Sequence, residues 1–132
     1  MSQETYAKGE ELRRKVLGES HSETPGGAQD TFQAVLQDYV VNNCWGEIWN
    51  RPGLDLKTRS FLNLAMLSAL VRPPELKLHI RGALNTGITR EEIAEVFLHV
   101  AMYCGTPSAV EAFKMAREVF REEDQKEAKT HE

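Results

Sequence analysis

Glu75 and His79 stand four residues apart in a segment opened by Pro73-Pro74, so on a helix both side chains leave the same face. A carboxylate so placed can orient an imidazole and favour its protonated form, as a positioned acid requires. The same spacing also describes a solvated surface pair worth roughly a few tenths of a kcal/mol. Arg51, Arg59, Arg72 and Arg81 flank the apolar middle of the chain. Any of them could hold an anionic substrate through paired hydrogen bonds, and each could equally be a solvated charge. Trp45, Trp49 and Tyr103 have the bulk of core anchors or pocket walls. His21, His99 and His131 have no partner at useful spacing and read as structural or solvated.

Other chemistries are not suggested. Cys44 and Cys104 are far apart, with no CxxC, and read as free thiols. No HExxH and no Gly-rich phosphate loop is present, so neither a metal nor a nucleotide is implied. Twenty acidic against sixteen basic residues give a net charge of -4 without a basic block, which disfavours nucleic acid. The longest apolar stretch, Phe61 to Val71, is broken by Asn63 and Ser68 and is shorter than the ~20 residues needed to span a bilayer. A polar N-terminus without an apolar core points to the cytoplasm.

With 132 residues, 41% of them apolar, the expectation is one domain. Its core would span 8–120, and residues 121–132, charged and without apolar anchors, would fray. A weakly amphipathic helix over 3–18 ends near Gly18, and Glu19–Asp30 is the main loop. Phe32, Val35, Leu36, Tyr39 and Val40 recur as one helix face turned to a core, and Asn42-Asn43 should end that helix. Trp45, Ile48 and Trp49 then share a short turn before Pro52-Gly53, which suits a type II turn. Asp55 caps a helix to about Val71 whose apolar residues run almost all the way round, as if surrounded by other helices. Pro73-Pro74 starts the next, with Leu76, Ile80, Ala83 and Leu84 as its core stripe. Gly87 closes it, Thr89 and Glu92 form a capping box, and Ile88 and Ile93 form the staple. Gly105 ends that helix, and Thr106-Pro107 begins the last. No segment alternates with period two, so the fold class is all-α with about six helices.

Five strings, in order, carry a resemblance: Leu12-Arg13-Arg14-Lys15-Val16-Leu17-Gly18, Trp45 through Leu54 (WGEIWNRPGL), Thr58-Arg59-Ser60, Glu75 through Arg81 (ELKLHIR) and Tyr103-Cys104-Gly105-Thr106-Pro107. Together they resemble gamma-carboxymuconolactone decarboxylase from about Lys8 to Phe120. The resemblance implies the AhpD-like helical fold, usually assembled as a homo-oligomeric ring, commonly a hexamer built as a trimer of dimers. It implies cofactor-free decarboxylation of a lactone dicarboxylate, 4-carboxymuconolactone, to the enol-lactone of 3-oxoadipate during protocatechuate breakdown. The peroxidase branch of that superfamily carries CxxC before a histidine. With that histidine aligned on His79, the two cysteine positions hold Arg72 and Glu75. The remaining alternatives are another lactone substrate, a thiol-peroxidase role through Cys44 and Cys104, or a non-enzymatic assembly role.

Losing CO₂ from such a lactone leaves charge that spreads through the ring double bond onto the carbonyl oxygen, so the substrate supplies its own electron sink. The protein must hold the retained carboxylate, stabilise the dienolate and return a proton. On this reading His79 is proton donor or dienolate partner, oriented by Glu75. Arg51, Arg59 or Arg81 grips the retained carboxylate, and Glu47 and Trp49 line the site.

Overall fold

The computed structural model describes residues 3–19 and 30–130, which leaves the expected main loop almost wholly outside them, together with His21 and His131. Among the described residues every regular element is helical. The chain divides into two compact units, Met1–Arg59 and Ser60–Glu132.

In the first unit, α1 (Gln3–Leu17) buries Leu12, Val16 and Leu17 and stops at Gly18, whose φ of 86° few side chains tolerate. Helix α2 (Thr31–Tyr39) starts at Asp30, whose carboxylate accepts the Gln33 N–H at 3.1 Å. Its apolar stripe is not turned to a core. Phe32 is 88% exposed, and Val35, Leu36 and Tyr39 are also exposed. The covered side carries Ala34 and Gln37, and the Gln37 amide donates to the Tyr6 hydroxyl on α1 at 3.0 Å. Periodicity shows that a face will be covered, not by which partner.

Asn42-Asn43 does not end the helix. The backbone widens into a π-helical segment, Val40–Ile48, closed by the Trp49 N–H on the Cys44 carbonyl at 2.8 Å. The two asparagines favour this junction instead of breaking it. Asn42 donates to the Asp38 carbonyl and Asn43 to the Tyr39 carbonyl, supplying donors where α-helical pairing gives way. Segment and α1 meet at two glycines. A Cβ on Gly9 would lie 2.2 Å from the Val41 oxygen, and one on Gly46 would lie 2.5 Å from the Thr5 oxygen. Downstream, Gly53 is not among the glycines at positive φ, so Pro52-Gly53 is not the expected type II turn, which requires that conformation at its third residue.

Helix α3 (Leu56–Ala69) is capped by Asp55, which accepts the Thr58 N–H at 2.7 Å. Within this chain it is not surrounded. Ser60, Leu64 and Ser68 form its one buried stripe, while Leu62, Met66 and Leu70 are exposed. Both buried serines are satisfied: Thr86 donates to Ser60, and Ser68 donates to the Leu64 carbonyl. The turn after α3 places Val71 at φ 55° and carries the Arg72 N–H to the Leu67 carbonyl.

Helix α4 (Pro73–Asn85) has proline in its first turn and buries Leu76, Ile80 and Ala83 as expected. The junction that follows matches the sequence reading in each part. Gly87 sits at φ 93°, Thr89 and Glu92 cap one another, and Ile88 and Ile93 are buried. Helices α5 (Arg90–Cys104) and α6 (Thr106–Thr130) complete a core of Leu64, Leu76, Ile80, Ile93, Phe97 and Val119 with smaller neighbours. The charged end of α6 is helical to Thr130 where fraying is expected, and ion pairs tie its Glu122 and Asp124 to earlier helices. Glu122 pairs with Lys77 and Arg81, and Asp124 pairs with Arg90, whose guanidinium also lies over Phe120.

Candidate active site

His79 lies in the middle of α4, half-buried, one position before the fully buried Ile80. Its Nδ1 is 3.3 Å from the side-chain nitrogen of Asn63, on α3. Glu75, the expected orienting group, is exposed in the first turn of α4. Asn63 is therefore a partner of the candidate histidine that spacing could not find, because sixteen positions of sequence separate the two. One signal was available: an amide interrupting an otherwise apolar stretch needs a polar partner if it is to be covered.

The arginines differ in their commitments. Arg81 is bound to Glu122, which also takes Lys77 at 2.7 Å. Hydrogen bonds from Lys77 and then Arg81 hold the Glu122 carboxyl below its ordinary range. Using Arg81 on a substrate would require exchanging that partner. Arg59 is half-buried. Its guanidinium donates to the Arg51 carbonyl at 3.1 Å, and its Nε is buried without a hydrogen-bond partner. The side chains of Arg51 and Glu47 are exposed. Arg59 thus has Nη2 committed to a backbone carbonyl and a buried Nε–H without a partner, a donor of the kind a carboxylate satisfies.

Trp49 is buried and stacks on Trp45, with ring centroids 4.6 Å apart. Cys44 lies beside it, half-buried. Burial pushes its thiol up, against a hydrogen bond with Trp49 and the nearby Arg13 charge. Burial correspondingly lowers Arg13. A thiol shifted in that direction is protonated at neutral pH, the opposite of an activated peroxidatic cysteine. Cys104 is a free, exposed thiol on α5.

His99 departs from its expected isolation. Its ring packs against Tyr103 at 4.9 Å, and Glu95 stands one turn before it. A groove of about 530 Å³ is lined by His99 and Glu95 with Phe61, Leu62, Val96 and Val100 among its walls. His79 is not among its lining residues. The two histidines therefore occupy different settings, and the hydrogen-bond partner distinguishes His79 more than the groove distinguishes His99. Among the described residues no cluster of His, Cys, Asp or Glu could hold a metal, and no helix is long and apolar enough to cross a membrane.

Comparison with known proteins agrees with the strings read above. The family model described as "Carboxymuconolactone decarboxylase family" matches residues 34–118, which run from within α2 to the middle of α6. A 4-carboxymuconolactone decarboxylase of Acinetobacter baylyi is 39% identical over 91% of this chain and 90% of its own length. Nitrosuccinic acid decarboxylase npaB of Metarhizium robertsii is 42% identical over 81% of this chain and 75% of its own. An uncharacterized 15.0 kDa protein of Paracoccus denitrificans is 36% identical over 74% of this chain and 75% of its own.

Proposed function

Because this chain belongs to the carboxymuconolactone decarboxylase family, we propose that it is a carboxy-lyase converting 4-carboxymuconolactone to 3-oxoadipate enol-lactone in protocatechuate breakdown. The observation that carries this is the match to the Acinetobacter baylyi decarboxylase, which spans 91% of this chain and 90% of that protein. The relative that acts on nitrosuccinic acid widens the chemical definition without changing it. Both compounds carry two carboxylates, and in both the pair of electrons freed by CO₂ runs onto oxygen, as a dienolate or as a nitronate. A protein that grips one carboxylate and stabilises the resulting oxyanion serves either, without a cofactor.

His79 acts as proton donor or hydrogen-bond partner to the dienolate, with Glu75 one turn earlier on the same helix. Arg59 grips the retained carboxylate, assisted by Arg51, while Arg81 is the less available cation because Glu122 holds it. Glu47 and Trp49 contribute to the walls. The enzyme works in the cytoplasm as a homo-oligomer, a hexameric trimer of dimers. That assembly is supported by exposed Phe32, Val35 and Tyr39 on α2 and by exposed Leu98 and Met102 on α5, which a monomer would leave in water.

The reading is tested by supplying 4-carboxymuconolactone and nitrosuccinate separately to the purified protein and comparing kcat/KM. A higher value for the lactone is expected. A higher value for nitrosuccinate would move the substrate while keeping the reaction class, and turnover of neither would remove the proposal.

A further inference from the structure

The Asn63–His79 contact selects between the two roles left open for His79. A neutral imidazole has one N–H and one acceptor nitrogen, and the hydrogen bond made by one nitrogen determines where the proton sits on the other. The Asn63 side-chain nitrogen is a donor and faces Nδ1 at 3.3 Å. With the amide oriented in this way, Nδ1 is the acceptor and the proton belongs on Nε2. We propose that Asn63 is the positioning residue of the site, holding His79 as the neutral Nε2–H tautomer so that it serves as a hydrogen-bond donor to the dienolate oxygen. This rests on the decarboxylase reading for its substrate, but not for the tautomer itself.

The consequence for the reaction is specific. When the bond to CO₂ breaks, its electron pair runs to the lactone oxygen, which takes a hydrogen bond from Nε2–H. A solvent-derived proton then closes the product at carbon, and His79 ends with the proton it began with. An imidazolium would place a second N–H on Nδ1, directly against a donor. Glu75 and Asn63 therefore pull in opposite directions: the carboxylate favours the charged ring, and the amide nitrogen favours the neutral one. Asn63 is half-buried and in contact with the ring, whereas Glu75 is exposed and its charge is screened by water.

The test is long-range ¹H–¹⁵N correlation spectroscopy on full-length protein labelled with ¹⁵N-histidine, the His79 signals being identified by their loss in His79→Gln. Wild type should show an Nε2–H ring at mildly alkaline pH. Asn63→Leu should weaken that preference towards that of a free imidazole, which itself favours Nε2–H, and lower kcat by about 10–100-fold with little change in KM, by analogy with losing the outer partner of a metal-bound imidazole. Asn63→Asp, whose side chain can only accept, should move the proton to Nδ1. An Nδ1–H ring in wild type would overturn the proposal, as would an unchanged tautomer in a folded Asn63→Asp protein. If the spectrum is as expected but no lactone turns over, the decarboxylase reading fails while the positioning by Asn63 stands.

Discussion

Removing the imidazole at position 79 should separate chemistry from folding. His79→Ala is expected to lower kcat by about 10²–10⁴, the span covered by losing a positioned acid or one oxyanion donor. The helix should survive, since Ala is the better helix former. Wild-type kcat in a folded variant would return Glu75 and His79 to the status of a solvated pair. Arg59→Lys keeps the charge and loses the fork, so its expected effect is a raised KM with kcat within a few-fold of wild type. A fall in kcat with KM unchanged would mean that Arg59 meets only the transition state. At this scale the sequence made the residue types legible but not their partners. The i, i+4 pairing of Glu75 with His79 is local, whereas Asn63 and Glu122 reach their partners from sixteen and forty-one positions away.

Among the elements, the turn between α3 and α4 stores strain. Val71 is β-branched at φ 55°, a conformation costing roughly 1–2 kcal/mol for an L-residue, against which Gly loses about 0.5–1 kcal/mol of chain entropy. Val71→Gly should therefore raise Tm by about 1–5 °C in a chain of this length, and a lowered Tm on calorimetry would show that the valine side chain contributes more than its backbone costs. Gly46→Ala should do the reverse, because its Cβ would meet backbone that cannot move aside, while Gly53→Ala, with nothing within 4 Å, serves as the tolerated control. Equal melting of the Gly46 and Gly53 variants would contradict the close crossing of α1 and the π-helical segment. The elements were legible wherever their signals were local. The Thr89 capping box with its staple was read in full from a few consecutive residues, and so were the prolines of α4. The π-helical segment was not, because the asparagines that usually break a helix here donate back to carbonyls one turn earlier.

For the molecule as a whole, all-helical architecture followed from the absence of any period-two pattern, but which apolar faces stay uncovered in one chain did not. Periodicity gives the same stripe whether a helix packs on its own chain or on a copy. The end of α6 depends on pH in a direction that can be worked out. Hydrogen bonds from Lys77 and Arg81 depress Glu122, and hydrogen bonds from Arg90 depress Asp124. Their contribution is therefore complete above the unfolded carboxylate values near ~4 and is lost as pH falls through the lower folded values. Amide exchange corrected for intrinsic rate should show residues 121–130 losing protection at low pH before residues 109–119 do, and simultaneous loss would show that the ion pairs do not hold the tail. If the exposed apolar faces are interfaces, light scattering at micromolar concentration should give a mass several times 14.9 kDa, and a monomer would leave those faces unexplained. The central claim is reached most directly by measuring CO₂ release from freshly generated 4-carboxymuconolactone by purified, EDTA-treated protein. One CO₂ per lactone consumed, with enol-lactone as the product, is the expected result. A folded, assembled protein that releases no CO₂ would contradict it.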